Sequence, residues 1–302
     1  MSTRPLTYAV ITAARDEADN IERLADCLRG QSLLPAAWIV VDDASTDGTA
    51  AVMARRAADQ SWIRVTTAPR CDGRVERGGP VVRAFHEGLR HLPEPFPDIV
   101  VKVDADVSTE ADYFERLVAH FAADPQLGIA SGRCLERDAS GEWRQRFGAG
   151  TGVWGAARAY RSTCLNEILP LEERQGWDEI DALKAVVRGW KTASLADLEF
   201  RHHRREGARD GSRTRVWTSQ GGAAHFMGYR PSYVLFRSLY RMRREPAAVA
   251  LVGGYGLAAI RRRPQLKDAA AVRYLRETQR IRNLGTRLRE VQGREVVSRT
   301  LR

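Results

Sequence analysis

The 302-residue sequence predicts an α/β fold built on a mainly parallel central sheet, followed by a basic helical C-terminal extension. Three observations lead there. Over the first 135 residues, short apolar runs alternate with stretches of helical periodicity, the pattern of βαβ units. Two of the apolar runs end in clustered aspartates, VVDDASTDGT (40–49) and KVDADV (102–107). The charge is divided: residues 1–200 carry 24 Lys and Arg against 31 Asp and Glu, whereas residues 201–302 carry 24 against 7. An acidic body with a basic tail implies chemistry in front and attachment to something anionic behind. The expected division is a catalytic domain over 1–210 and a basic, amphipathic helical region over 211–302.

Residues 7–14 read as a buried strand, and 19–30 as a helix with Ile21, Leu24 and Leu28 on one face, ended by Gly30. Further strands are expected at 36–43, 62–67, 98–106 and 127–135, with helices at 49–58, 81–90 and 111–123 between them. Ser45, Thr46 and Asp47 are available to cap the helix at 49–58. The 43% of apolar residues suffices for a sizeable core. Cys27, Cys71, Cys134 and Cys164 lie far apart with no CxxC pair, which argues against a disulfide scaffold and fits a reducing compartment. The first ten residues lack the basic-then-apolar plan of a signal peptide, so a cytoplasmic location is expected.

In open α/β sheets, ligands bind at the carboxyl ends of the strands. Asp104 and Asp106, two apart, share a side if the strand persists, and paired carboxylates suit Mg²⁺ or Mn²⁺ completed by phosphate oxygens. The alternative is that they cap the next helix. For Asp42 and Asp43 the alternative is an Asx-turn before Thr49.

The order and spacing of ITAARDEADNI (11–21), VVDDASTDGT and VDAD resemble the inverting family 2 glycosyltransferases of GT-A fold, of the bacterial glycan-building type. The likeness runs on through GVWGAARAYRSTCL (152–165), GWDEIDALKAVVRGWKT (176–192) and DLEFRHHR (197–204). It implies a nucleotide-sugar, most simply a UDP-sugar, held by Thr12, Ala13, Arg15, Asp42 and Asp43, with Asp104 and Ala105 beside the ribose. It also implies a Mg²⁺ or Mn²⁺ ion at Asp104 and Asp106, with His202 or His203 as a further ligand. Adjacent histidines on a strand face opposite ways, so one of the two serves. The general base falls on Asp178, with Glu179 and Asp181 as alternatives. The apolar face of Ile180, Leu183 and Val187 starts a helix near Glu179, which makes Asp178 an N-cap as well. Trp177 and Glu179 are acceptor-side candidates, and Trp177 is otherwise a core residue. The Gly-Lys pair of many relatives is replaced by RGGPVVRAF (77–85), leaving Arg74, Arg77 or Arg83 for the diphosphate; Arg77 is the candidate carried forward. Arg204 and Arg205 either meet the diphosphate or belong to the tail.

In the tail, an uncharged run at 246–260 lies between RMRRE (241–245) and RRR (261–263). It is shorter than the ~20 apolar residues of a membrane span. The expectation is a segment lying on an anionic membrane surface, on the inner face of the cell membrane, near a glycan or lipid-linked acceptor. A helix buried against the catalytic domain is the alternative. A basic helix is expected over 268–291, broken near Gly285. Two other functions compete. A nucleotidyltransferase would need a Gly-rich, basic loop after the first strand, and TAARDEAD is not one. A nucleic-acid binder is disfavoured because no binding motif accompanies the tail's charge; no nucleic-acid partner is expected.

Overall fold

The computed structural model describes residues 4–58, 60–69, 77–138, 140–146, 152–204, 212–243 and 245–283. Four strands form a parallel half-sheet in the order β3 (Ile63–Thr67), β2 (Ala37–Asp42), β1 (Tyr8–Ala14) and β4 (Ile99–Val103). Each successive pair is linked through a helix: α1 (Ala18–Arg29), α2 (Thr49–Ala58) and α3 (Gly79–Arg90). These elements lie where the apolar periodicity puts them. Ile21, Leu24 and Leu28 of α1 are buried on its inner face.

Beyond β4 the sheet is mixed. β8 (Ala157–Arg161) runs antiparallel to both β4 and β6 (Leu127–Arg137), and β9 (Lys191–His202) returns parallel to β6. The short strands β5 (Val107–Thr109) and β7 (Trp143–Gln145) pair antiparallel with β9 and β6. A parallel neighbour needs a crossover, usually helical. β6 and β8 are joined by the β7 hairpin with no helix among its described residues, so β8 enters reversed. α4 (Tyr113–Ala123), α5 (Ser162–Ile168) and α6 (Trp177–Val186) cover the sheet.

One apolar layer contains Tyr8, Leu24, Trp38 and Phe114; the other contains Ile11, Ile39, Phe85 and Tyr160. A third core joins Ile180 and Leu183 of α6 to Trp217, Leu251 and Leu275 of the C-terminal helices. Those helices are α7 (Arg213–Phe226), α8 (Pro231–Met242), α9 (Ala250–Ile260) and α10 (Ala269–Thr278). The uncharged run becomes a 3₁₀ turn, Pro246–Val249, followed by α9. α9 lies on α7 through Leu251, Gly254 and Ala258 and leaves Val252, Leu257 and Ile260 exposed. One side is therefore docked and the other is not. No helix among the described residues is long and apolar enough to cross a membrane. The helix expected over 268–291 is described as α10 and a 3₁₀ turn, Ile281–Asn283; Gly285 and the rest lie outside the described residues.

Candidate active site

The carboxyl ends of β1, β2 and β4 open on one edge, and two loops meet there. Asp16, with φ of 54°, accepts hydrogen bonds from the Thr46 and Asp47 amides at 2.7 and 3.3 Å. Asp47 accepts from the Thr49 and Ala18 amides at 2.9 and 3.1 Å. The β1 loop and the aspartate-rich β2 loop thus hold each other. Arg15 is exposed with its guanidinium 3.7 Å from Asp43, and Asp42 accepts from the Ser45 amide at 3.3 Å, closing an Asx-turn. Asp42 and Asp43 stand at the rim, and the turn exists alongside whatever else they bind.

Three chain segments converge on an acidic cluster. Oxygens of Asp104 and Asp106 and a ring nitrogen of His202 lie within 4.8 Å of one another. The expected strand at 98–106 stops at Val103, and a turn closed by Val107 N donating to Asp104 O brings the two aspartates together. They cap no helix, because β5 intervenes and α4 starts at Tyr113. Lys102, 4% exposed, contacts the Asp104 carboxylate and donates to Gly155 O at 2.8 Å. Asp106 lies 3.3 Å from His202 Nε2, and Glu136 lies 3.3 Å from Nδ1. Both ring nitrogens face carboxylates, which only accept; Glu136 on the Nδ1 side orients the ring so that Nε2 is turned to the cluster. Burial pushes the Asp106 carboxyl up, but the His202 hydrogen bond and charge, with Arg204, outweigh it and the net direction is down. For His202, burial pulls down and Asp106 pulls up, and the net direction is up.

This donor set fits a divalent cation. Two carboxylates and one imidazole suit Mn²⁺ well and Mg²⁺ less well, and three protein ligands leave positions for phosphate oxygens. His203 is different. Its Nε2 lies 2.7 Å from Ser108 Oγ and its ring stands edge-on to Trp143, on the other face of the strand. Burial and nearby arginines press its pKa down to about 4. As a candidate ligand it is corrected: it follows the last residue of β9, His202, and its ring is turned to Ser108 and Trp143 while that of His202 meets the aspartates.

Asp178 lies across Gly155 from this cluster. A Cβ built on Gly155 would stand 3.4 Å from Asp178 Oδ2 and 3.3 Å from the Trp177 ring. The helix begins two residues earlier than expected, at Trp177. Gly176, with φ of 83°, is the N-cap, so Asp178 sits in the first turn of α6 and does not cap it. A left-handed residue is readily supplied by glycine, and it turns the chain into the helix. Trp177 is 9% exposed; it packs in the core and also walls a cleft of about 280 Å³ with Arg77, Asp178, Glu179, Tyr229 and Arg237. The Lys102 ammonium stands 5.4 Å from its ring centroid. Glu179 accepts from Tyr229 Oη at 2.8 Å.

Several of the side chains named for the site have partners within the protein or are buried. Thr12 is fully buried, and its hydroxyl accepts from Trp38 Nε1 at 3.0 Å, so it serves the core. The Ala105 methyl is buried, and Ala13 packs against the α3-side core. Asp181 is buried with Arg158 and Tyr160, which removes it as a base candidate; burial pushes its carboxyl up to about 6, against the pull of Arg158. Arg83 pairs with Glu173 at 3.5 Å, while Arg77 lines the cleft; Arg74 and Arg205 lie outside the described residues. Arg204 belongs to the site and not to the tail. It grips buried Glu17 through two bonds of 2.6 and 2.7 Å and lies 3.9 Å from Asp106. Glu17, Lys102, Tyr229 and Arg237 were missed. An isolated Lys in the apolar run IVVKV is the one local signal among them, since a buried charge demands a partner.

Residues 9–178 match the sequence profile of glycosyl transferase family 2. The chain belongs to that family. It is a glycosyltransferase, which sets aside the nucleotidyltransferase alternative. Glucomannan 4-beta-mannosyltransferases 7 and 2 of Arabidopsis thaliana are each 28% identical to it over 182 residues, 54% of this chain. The chain spans about a third of their length, 32% and 34%. Among solved structures, the mannosyltransferase PcManGT of Pyrobaculum calidifontis, in complex with GDP-Man and Mn²⁺, superposes with a TM-score of 0.58. It is 22% identical, over 97% of this chain and 89% of that one. TarS 1–349 of S. aureus in complex with UDP-GlcNAc gives 0.53 at 16% identity, over 95% and 82%. The fold is accordingly the GT-A fold, carried on a mixed sheet.

Proposed function

We propose that the family 2 enzyme transfers a sugar from a nucleotide-sugar to a hydroxyl of a glycan or lipid-linked acceptor, with inversion and with a divalent cation. The observation that carries this reading is the position of Gly155. On one side its carbonyl accepts from Lys102, which touches Asp104 of the acidic cluster; on the other, its Cα faces the Asp178 carboxylate. On this reading the diphosphate-binding centre and the carboxylate base lie on either side of Gly155.

Asp104, Asp106 and His202 are the residues that would hold Mn²⁺ or Mg²⁺, which would neutralise the diphosphate as it departs. Asp43 and Arg15 at the rim would meet the nucleoside, and Arg77 in the cleft the diphosphate or the acceptor. Asp178 takes the proton from the acceptor hydroxyl while that oxygen attacks the anomeric carbon opposite the diphosphate. Trp177 gives an apolar wall to the acceptor sugar, and Glu179, fixed by Tyr229, gives it a hydrogen-bond acceptor. The sequence favours a UDP-sugar. The relatives named as mannosyltransferases favour a mannose donor, PcManGT is solved with GDP-Man, and GDP-mannose is the donor we propose.

A thermal-shift screen of GDP-mannose and UDP-sugars, with and without Mn²⁺, tests the donor. A ligand at 100 times its Kd stabilises by about 2.7 kcal/mol. NMR of the product's anomeric proton tests inversion. Absence of any Mn²⁺-enhanced shift, or a retained anomer, refutes the reading.

A further inference from the structure

We infer that α8 and α9 form a docking face for an anionic lipid bilayer. Eight of the eleven large hydrophobic side chains exposed among the described residues fall between 235 and 260. On α8, Leu235, Leu239 and Met242 follow a spacing of four and three residues, with Phe236 beside them, which makes one stripe. On α9, Leu257 and Ile260, 43% and 82% exposed, lie away from the Leu251–Gly254–Ala258 side that packs on α7. Scattered exposed leucines need no explanation, but a concentration of this kind on two packed helices does.

The charge around the stripe selects the occupant. Residues 230–267 contain nine Arg and Lys and a single acid, Glu245, which lies 4.0 Å from Arg213. Arg241 and Arg243 stand at the end of α8, and Arg261, Arg262 and Arg263 follow α9 directly. A second copy of the chain would set this positive patch against itself, which electrostatics opposes. Anionic headgroups complement it, with the apolar stripe entering the headgroup–acyl boundary. α8 and α9 are too short to span, so these two helices lie on the surface.

The face is also coupled to the cleft. Arg237, which lines the cleft with Asp178, projects from nearly the opposite side of α8 to Leu239 and Met242. One helix separates bilayer from cleft. Where that cleft takes the acceptor, as proposed above, docking brings it beside lipid-borne glycans; docking itself does not depend on that reading.

Sedimentation of the full chain with vesicles of phosphatidylcholine alone, or mixed with phosphatidylglycerol, at low and high salt and without substrates, tests the inference. Binding is expected to the mixed vesicles, weakened but not abolished by salt. Arg261→Gln with Arg263→Gln should lower it by about fivefold per charge, which corresponds to roughly 1 kcal/mol each. Phe236→Ser with Leu239→Ser should lower it by about tenfold or more, with an unchanged melting curve because both side chains are exposed. No sedimentation with mixed vesicles at low salt overturns the inference. So does full binding by the Phe236/Leu239 variant, or a solution dimer that this variant disrupts while vesicle binding persists. A thermal-shift response to nucleotide-sugar in the same samples keeps a docking failure distinct from a failure of the catalytic reading.

Discussion

Arg158 donates from one guanidinium nitrogen both to the Asp181 carboxylate and to the main-chain carbonyl of Asp178, the latter at 2.8 Å. Its Nε reaches the second Asp181 oxygen at 3.1 Å, and Tyr160 Oη donates to that same oxygen at 2.5 Å. Arg158 and Asp181 are 0% and 1% exposed. A strand of the sheet thereby fixes the first turn of α6, and with it the direction of the Asp178 side chain. The pair is a positioning device under the proposed base.

Breaking this pair should be costly. Asp181→Ala leaves a buried guanidinium without its counter-charge, and such losses run to about 3–5 kcal/mol. Urea unfolding of the variant should show a drop of that order, and a change of under about 1 kcal/mol, the scale of an exposed pair, would mean that water reaches Arg158.

Asp178→Asn should preserve the fold, since the side chain's own local bond, from the Glu179 amide at 3.1 Å, can be kept by the amide oxygen. Donor binding should be retained while kcat falls by about 10²–10⁴. Near-normal turnover would move the base elsewhere.

The histidines separate the cluster from its surroundings. Asp106→Ala should abolish Mn²⁺-enhanced binding of the nucleotide-sugar, and His202→Ala should weaken it. His203→Ala should leave it intact, because that ring faces Ser108 and Trp143. Calorimetric titration with Mn²⁺ and donor distinguishes the three. Equal losses in both histidine variants would argue against the ligand set.

The parallel half of the fold was legible because each strand and helix there carries its own period and its own stop signal, as at Gly30 after α1. β5, β7 and β8 were not read: β5 and β7 are three residues long, and β5 and β8 are defined by partners distant in sequence. The same distinction runs through the site. Asp104, Asp106, Asp178 and His202 sit in local motifs and could be named from them. Glu17 and Arg204, 187 residues apart, meet only when β1 and the end of β9 arrive at one edge. That the Thr12 hydroxyl goes to Trp38 was not legible either, since strand alternation turns it into the core while its neighbours in the motif line the rim. Of helices α7 to α10, a helix was placed over 268–291 and one docked on the catalytic domain was weighed for 246–260, while α7 and α8 were read as charge and apolarity. Their core with Ile180 and Leu183 is a tertiary fact that no local period encodes.

The contact between α7 and α9 yields a prediction with an internal control. Gly221 and Gly254 let the two backbones touch. A Cβ on Gly254 would stand 2.0 Å from Thr218 O, and one on Gly221 would stand 2.2 Å from Leu251 O. Both obstacles are main-chain oxygens in helices, so no side-chain rotation relieves them; the helices must separate. Gly254→Ala should therefore destabilise by about 1–3 kcal/mol, the usual cost of overpacking. Gly253, its neighbour, faces open space with nothing within 4 Å of a built Cβ. Gly253→Ala should stabilise by about 0.5–1 kcal/mol, because glycine in a helix interior costs that much relative to alanine. The two substitutions add the same methyl to adjacent residues and should shift thermal unfolding in opposite directions. If both stabilise, the close crossing does not exist in solution, and α9 is held against α7 by something other than the glycine contact.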